Sequence, residues 1–238
     1  MASAYQAAAL AAADPAVIGS ILPDWVTSRD SAVRPDEDHL FPEEREVIAR
    51  AVAKRRAEFS TVRRCARLAL AELGVPAAPI LPGERGAPRW PDGVVGSMTH
   101  CDSYCAAAVA PADVAVGIGL DAEPHGPLPD GVLRLISRDE EGPRLAALAE
   151  ADPSVHWDRL LFTIKESVYK VWYPITGSWL DFSGASVSIE PAEQRFTAEL
   201  CVPGPTVGGV ELTELTGRYR IGDGLVISAI ALPRKPAR

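Results

Sequence analysis

Two long helical segments alternate with two groups of short strand-like segments, and this alternation restricts the chain to folds that combine helices with sheets. The first helical segment covers residues 41–73, where apolar side chains recur about every 100° along one face. This spacing predicts a core-facing helix, with a break, if there is one, near Ser60. Gly74 and Pro76 end the helix, and the Pro- and Gly-rich residues 76–93 form a long loop.

Three strand-like segments follow this loop, at residues 94–99, 104–110 and 114–120. They are separated by short turns, so we expect them to be neighbours in one sheet. The last of the three is a continuous apolar run that ends at Asp121. This end of a strand is where a polar side chain can leave the core.

The second helical segment begins near Trp157, with Asp152 or Ser154 as its N-cap. Pro174 and Gly177 stop it. The remaining C-terminal residues alternate short β-like runs with turn residues, which predicts a small antiparallel sheet.

These segments together predict an α+β fold made of two α/β halves. We expect an Ala-rich N-terminal extension at residues 1–20, an N-terminal subdomain at 21–112 and a C-terminal subdomain at 113–238. The extension is either loosely attached or an additional helix.

Composition excludes several functional classes. The net charge of -8 argues against a nucleic-acid-binding protein, which needs concentrated Lys and Arg. No apolar run approaches the roughly 18 residues that span a bilayer. The 4 cysteines lack paired CxxC spacing and the N-terminus lacks a secretory pattern, so we expect reduced thiols and a cytoplasmic location.

Three carboxylates mark a candidate metal site. Asp121 and Glu123 are two residues apart at the end of a strand and therefore point to the same side of the chain. Glu166 lies on the second helix between Lys165 and Lys170. Magnesium prefers such oxygen ligands together with substrate phosphates. The alternatives are two solvated acids at a strand end and an exposed Glu166–Lys170 pair on a helix.

Basic residues concentrate in the first helical segment of this acidic protein. On a straight helix, Arg45, Arg56, Arg63 and Arg67 form one row, which either binds phosphates or is an ordinary solvated face. His100 follows an apolar strand. A zinc site with the nearby Cys101 and Cys105 is disfavoured, because the sequence offers no fourth ligand at a recognisable spacing.

Taken together, these segments resemble the Sfp-type 4'-phosphopantetheinyl transferases, in particular their enterobactin-type and actinobacterial branch. The resemblance covers most of residues 40–233. It is strongest at residues 90–101, 119–125, 157–159 and 162–170, and residues 53–63 look like the coenzyme A-binding helix of that family. It implies a monomer of two similar α/β subdomains related by a pseudo-two-fold axis, with the active site between them.

The resemblance also implies the reaction and its partners. Such an enzyme moves phosphopantetheine from coenzyme A to a serine of apo acyl or peptidyl carrier proteins and releases 3',5'-ADP. These carriers serve fatty acid, polyketide and nonribosomal peptide biosynthesis. By similarity, Asp121, Glu123 and Glu166 bind Mg²⁺ or Mn²⁺, which bridges the pyrophosphate of coenzyme A.

The remaining site residues are likewise implied by similarity. The 3'-phosphate of coenzyme A would be recognised by Arg55, Arg63, Thr99 and His100. Pro82, Gly83, Glu84 and Arg85 would border the adenine, and Lys165 and Lys170 would face the pyrophosphate. Many relatives carry Lys where this chain has Pro82, and Arg85 or Arg89 can supply that charge.

Glu166 is the expected base for the serine hydroxyl, directly or through water, with a metal-bound water or another carboxylate as the alternative. Lys165 would stabilise the charge on the leaving 3',5'-ADP. Residues 124–155 are a candidate carrier-docking segment, although an ordinary buried helix explains the same pattern. Its apolar side chains are Leu128, Val132, Leu133, Leu135 and Ile136.

Two other functions fit part of the sequence. One is a different Mg²⁺-dependent phosphoryl transferase, but the chain has no GxxxxGK[ST] or kinase motif. The other is a non-catalytic coenzyme A- or nucleotide-binding module. The presence of all three carboxylates favours the enzyme.

Overall fold

The computed structural model describes residues 17–234. Its helices are α1 (Pro42–Ile48), α2 (Ala53–Glu72), α3 (Val132–Ile136), α4 (Glu141–Ala151) and α5 (Trp157–Thr176). Its strands are β1 (Thr27–Ala32), β2 (Val94–Cys101), β3 (Tyr104–Pro111), β4 (Ala115–Pro124), β5 (Ala185–Glu190), β6 (Arg195–Leu200), β7 (Thr206–Val207), β8 (Val210–Glu211), β9 (Glu214–Gly222) and β10 (Leu225–Pro233). This mixture confirms the predicted α+β class.

The N-terminal sheet is antiparallel, with the strand order β1-β3-β2. Its central strand, β3, is built mainly of alanine and is almost entirely buried. Cys105, Ala107 and Val109 pack toward α2, whereas the alternate residues Ala106 and Ala108 pack toward β4 and β10. Small side chains on both faces of β3 therefore let a helix and a second sheet lie close on either side.

The C-terminal sheet has the antiparallel order β4-β10-β9-β6-β5 and is covered by α5. The apolar face of α5 is buried there, including Leu160, Ile164 and Val168. Gly119 on β4 lies so close to this helix that a Cβ atom would come within 2.0 Å of the Ser167 carbonyl oxygen. A residue without a side chain thus brings α5 onto the strand that carries Asp121 and Glu123.

Side-chain hydroxyls link the two sheets between β2 and β4. The Leu120 amide donates to Ser97 Oγ (3.1 Å), and the Ala122 amide donates to Thr99 Oγ1 (3.2 Å). The expectation that residues 114–120 share a sheet with the two preceding strands is wrong, because β4 pairs with β10 instead. The pseudo-two-fold relation and the subdomain boundary at residue 112 stay predictions.

Two expected helix boundaries also differ. The first helical segment breaks between Ala49 and Val52, and not at Ser60, which is buried within α2 and donates to a backbone carbonyl. Helix α5 begins at Trp157 with His156 as its N-cap. Asp152 ends α4 instead and accepts hydrogen bonds from Ser154, so a local turn uses both residues expected to cap α5. Gly177 ends α5 in a left-handed conformation (φ 65°), as predicted, while Pro174 lies inside its last turn.

Most of the predicted N-terminal extension, residues 1–16, lies outside the described residues. Ile18 and Ile21 are buried in a short turn against the sheets, so the end of that segment belongs to the core. No helix in residues 17–234 is long and apolar enough to cross a membrane.

All four cysteines are free thiols. Cys65, Cys101 and Cys105 are buried, whereas Cys201 is exposed. Burial raises the pKa of Cys65 to about 12 and that of Cys101 to about 11, and it also raises the pKa of Cys105.

Candidate active site

Asp121 is buried at the end of β4, between both halves of the fold. Its Oδ1 accepts hydrogen bonds from Lys170 Nζ (2.7 Å) and Thr99 Oγ1 (3.1 Å). Lys170 also donates to the Leu120 carbonyl at 2.8 Å. The second carboxylate oxygen, Oδ2, is buried and has no hydrogen-bond partner among residues 17–234. A buried carboxylate oxygen without a donor is costly, and it fits a ligand that brings positive charge.

Glu123 and Glu166 lie in the electric field of Asp121. Burial raises the pKa of both glutamates, and the negative charge of Asp121 adds to the rise. Arg159 partly compensates at Glu123 by donating to its Oε2 at 3.0 Å. In the described part of the chain no three His, Cys, Asp or Glu side chains are already arranged as a metal-binding group. The hard oxygen donors and the unpaired Oδ2 nevertheless fit a cation such as Mg²⁺.

A pocket of about 120 Å³ adjoins Glu166. Its walls are mainly apolar and aromatic and include Tyr169, Trp179, Leu180 and Phe182. The rings of Tyr169 and Trp179 lie 5.0 Å apart, and the buried Tyr169 hydroxyl has no hydrogen-bond partner in residues 17–234. Sequence analysis missed this wall, although a tryptophan two residues after the helix-ending Gly177 is an available signal.

Lys165 also borders this pocket, but its ammonium group points into the protein. It donates to Glu141 Oε2 (2.8 Å) and to the carbonyls of Phe182 (2.9 Å) and Ala185 (3.2 Å). These three contacts use all its hydrogens, and the side chain is only 2% exposed. A buried glutamate on α4 thus binds the charge of Lys165 in this structure, and a contact of Lys165 with the pyrophosphate stays a prediction.

Arg55 and His100 meet at the opposite side of Thr99. Arg55 Nη1 lies 2.5 Å from His100 Nε2, and His100 Nδ1 lies 3.4 Å from Glu58 Oε2. Burial, together with the positive charge of Arg55, lowers the pKa of His100 to about 4. The imidazole is thus neutral at pH 7, with Nε2 accepting from Arg55. The exposed Arg55 guanidinium remains the accessible positive charge of this corner.

Thr99 does not contribute a donor to this corner. Its hydroxyl hydrogen is used on Asp121, and its oxygen accepts the Ala122 amide. The residue is also buried. These contacts hold Asp121 in place, and binding of the 3'-phosphate by Thr99 stays a prediction.

The arginines that a straight helix would align do not form one row, because the helical segment is divided into α1 and α2. Arg45 lies on α1 and donates to the Glu37 carbonyl, while Arg56 forms a two-point ion pair with the Glu37 carboxylate. Arg67 forms a buried ion pair with Glu44 at 2.8 Å. Arg63 is buried as well, donates to the Ile80 carbonyl and lies over the Phe59 ring. A direct contact of Arg63 with the 3'-phosphate stays a prediction.

Residues 82–88 form a tight loop beside the pocket. The Gly83 amide donates to the Ala87 carbonyl (2.6 Å), and Pro82 pairs with Pro88. Arg85 adopts a left-handed conformation (φ 53°), and its guanidinium lies 5.5 Å from the centre of the Trp179 ring. Arg85 therefore brings positive charge to the pocket edge. An adenine contact by Pro82, Gly83, Glu84 and Arg85 stays a prediction.

Known families match both halves of the chain. The model of the 4'-phosphopantetheinyl transferase N-terminal domain matches residues 43–110, and that of the 4'-phosphopantetheinyl transferase superfamily matches residues 117–211. The chain is 56% identical to 4'-phosphopantetheinyl transferase Svp of Streptomyces mobaraensis over 219 residues, which cover 91% of this chain and 89% of that protein. The chain belongs to the 4'-phosphopantetheinyl transferase family.

Two further members of the family show the same extent of similarity. 4'-Phosphopantetheinyl transferase PptT of Mycobacterium tuberculosis is 49% identical, with 81% of this chain and 86% of that protein covered. 4'-Phosphopantetheinyl transferase Npt of Nocardia iowensis is 47% identical, with 90% and 99% covered. Membership confirms the predicted transferase activity, and it places coenzyme A and a carrier protein as the reactants of a 4'-phosphopantetheinyl transferase.

Proposed function

We propose that this transferase binds Mg²⁺ through Asp121, Glu123 and Glu166 and moves phosphopantetheine from coenzyme A to a serine of apo acyl or peptidyl carrier proteins. The observation that supports this proposal best is the buried, unpaired Oδ2 of Asp121 beside two glutamates with raised pKa values. When bound, the cation offsets the negative charge of the pyrophosphate and of the leaving 3',5'-ADP.

The residues around the carboxylates have separate roles in the proposal. Lys170 orients Asp121 and contributes positive charge next to the pyrophosphate. The serine Oγ forms a bond to the phosphorus that carries pantetheine, and the bond from that phosphorus to the oxygen of 3',5'-ADP breaks. Glu166 accepts the serine proton, since burial raises its pKa and no hydrogen-bond partner occupies it in residues 17–234. Mn²⁺ is an alternative cation for the same oxygen ligands.

We assign the two ends of coenzyme A to the two flanks of the carboxylates. The exposed Arg55 guanidinium next to His100 suits the 3'-phosphate, because arginine forms charge-assisted hydrogen bonds with phosphate oxygens. The aromatic pocket beside Glu166 suits the pantetheine arm, which is flexible and uncharged. The same proposal includes a cytoplasmic monomer that serves fatty acid, polyketide or nonribosomal peptide carriers.

The carrier-docking segment is smaller than the sequence suggested. Ile136 is 2% exposed and belongs to the core, and Leu128, Val132 and Leu133 pack partly against it. Most of the segment therefore follows the alternative of an ordinary buried helix. Leu135 is 77% exposed and remains the candidate contact of α3 with the carrier.

Mass spectrometry of a panel of apo carriers tests the function. Incubation with coenzyme A and Mg²⁺ should add the phosphopantetheine mass to at least one carrier, and a chelator should prevent the addition. Asp121→Asn and Glu166→Gln should each abolish transfer, whereas the exposed Glu150→Gln on α4 should be unaffected. Binding of coenzyme A without modification of any carrier would instead favour a non-catalytic binding module.

A further inference from the structure

The tripeptide Trp157-Asp158-Arg159 at the start of α5 has no role in the proposed chemistry, yet it makes an unusual set of contacts. The Arg159 guanidinium donates to Glu123 Oε2 (3.0 Å), the Gly126 carbonyl (3.1 Å) and the Pro127 carbonyl (2.6 Å). It therefore binds both a carboxylate of the candidate metal site and the chain that leaves that site.

Asp158 also binds the chain that leaves the candidate metal site. Its Oδ2 accepts the Leu128 amide at 2.8 Å, so the first turn of α5 fixes residues 126–128 from two neighbouring side chains. Trp157 anchors the turn in the core and donates to the Asp152 carbonyl. Residues 126–128 lead directly to α3, where Leu135 is exposed.

We infer that Arg159 is a positioning residue that orients Glu123 for the cation and, through the same guanidinium, fixes the segment leading to α3. The inference rests on the proposed role of Glu123 as a metal ligand. Arg159 binds Oε2 of Glu123, and the other carboxylate oxygen, Oε1, takes no part in this ion pair. Groups that orient a metal ligand in this way commonly change metal affinity about 10–100-fold when they are altered.

Arginine suits this position because its planar group offers several donors in fixed directions, whereas lysine offers a single ammonium point. Arg159 uses three separate nitrogens for Glu123, Gly126 and Pro127, and the single nitrogen of a lysine cannot occupy these three places. Arg159→Lys therefore keeps the positive charge and changes mainly the orientation of Glu123. Because the repulsion between this positive charge and the cation is kept, a change in metal binding reports the orientation of Glu123.

The test measures Mn²⁺ binding by electron paramagnetic resonance with the full-length protein, saturated with coenzyme A and without a carrier, so no turnover is needed. Arg159→Lys should weaken Mn²⁺ binding about tenfold or more. Amide hydrogen exchange at Leu128 should accelerate in the same variant. The matched control is Arg144→Lys, because Arg144 ties α4 to β5 through Val187 and Ser188 and contacts no carboxylate in the described residues.

Asp158→Ala separates the two functions of this turn. It removes the Leu128 contact but leaves the Glu123 ion pair, so it should accelerate amide exchange at Leu128 and leave Mn²⁺ affinity close to that of the wild type. Unchanged Mn²⁺ affinity in Arg159→Lys overturns the inference, as does an equal loss of affinity in Asp158→Ala. A wild-type protein that binds no Mn²⁺ overturns the metal site itself, and the positioning role with it.

Discussion

His100 shows how a single residue can be neutral in the middle of charged neighbours. It contacts Arg55 and Glu58, and the charges of Arg63, Lys170 and Asp121 also act on it. Burial, and after it the positive charges of Arg55, Lys170 and Arg63, make an additional charge on the imidazole unfavourable. His100 therefore acts as an acceptor that orients Arg55, and the arginine presents the charge.

The first prediction concerns this arginine. Coenzyme A should bind more tightly than 3'-dephospho-coenzyme A, by about 1–3 kcal/mol, the scale of a charge-assisted hydrogen bond. Arg55→Gln should remove most of this difference, as measured by calorimetry. Arg64→Gln is the control, since it lies on the opposite side of α2 and pairs with Asp36. Equal dissociation constants for the two cofactors in the wild type would exclude a 3'-phosphate site at Arg55.

The second prediction is a pH dependence of stability. In the unfolded chain His100 titrates near its usual pKa of 6.5, whereas in the folded protein its pKa is about 4. The unfolded state thus binds the proton first, and the stability contributed by neutral His100 is lost as pH falls from about 6.5 to 4. His100→Gln should show a smaller loss of unfolding free energy between pH 7 and pH 5 in urea titrations. An identical loss in both proteins would contradict the assignment.

The elements of the fold meet where side chains are absent or small. Gly119 lets α5 contact β4, which brings Lys170 to Asp121. Lys165, one turn earlier on α5, ties the same helix to Glu141 on α4 and to the carbonyl of Ala185. Helix α5 is thus held from both sides, and its position sets the distance from Glu166 to the carboxylates of β4.

A third prediction follows for Gly119→Ala. Its Cβ atom would overlap with the Ser167 carbonyl oxygen, which belongs to helix backbone and cannot turn away. We expect destabilisation of about 1–3 kcal/mol or more, the usual range for overpacking, together with reduced transfer. Gly142→Ala serves as the control in the same denaturation assay, because a Cβ atom there meets no atom within 4 Å. A Gly119→Ala protein as stable as the wild type would show that the helix can shift freely.

A fourth prediction concerns the buried Lys165–Glu141 pair. Lys165→Met leaves Glu141 buried without its cation and should cost about 3–5 kcal/mol of unfolding free energy. The double variant Lys165→Met with Glu141→Gln should recover part of this loss, because no charge is then left unpaired. Chemical denaturation measures both. If Lys165→Met is fully stable but transfers no phosphopantetheine, the result would contradict this structural role and support the predicted catalytic role of the lysine.

The sequence predicts the helices and strands better than it predicts which strands pair and which side chains contact each other. The helical segments and the strands at 94–99, 104–110 and 114–120 follow from local periodicity and from Gly and Pro. The sheet of β4 was not predictable in this way, because its partner β10 lies about a hundred residues further along the chain. The carboxylates at 121, 123 and 166 follow from strand-end spacing and the resemblance. The buried partners Glu44 and Glu141 do not, since nothing local distinguishes them from surface glutamates.

At the scale of the whole molecule, the net charge of the enzyme opposes docking of a carrier protein. The enzyme carries a net charge of -8, and carrier proteins are commonly acidic, so long-range attraction does not bring them together. A short-range apolar contact has to provide the affinity. Among the exposed large hydrophobic side chains of residues 17–234, Leu135 on α3 is the closest in sequence to the segment held by Arg159 and Asp158.

The fifth prediction tests this contact. Leu135→Asp should raise the KM for the carrier about tenfold, the effect of losing one well-packed interface residue, while coenzyme A affinity and thermal stability stay unchanged. Val210→Asp introduces the same charge at a similarly exposed position on β8 and should leave the KM as it is. Equal effects of the two substitutions would indicate a general charge effect and would exclude α3 as the docking site.

The distribution of the four thiols has a practical consequence for observing this encounter. A thiol reacts with a maleimide through its nucleophilic thiolate form, so burial and raised pKa values protect Cys65, Cys101 and Cys105 at neutral pH. Cys201 is exposed just after β6. A maleimide dye should therefore label the unmodified protein at one position of the C-terminal half. Energy transfer from that dye to a labelled carrier would follow docking in real time, without any cysteine having to be added or removed.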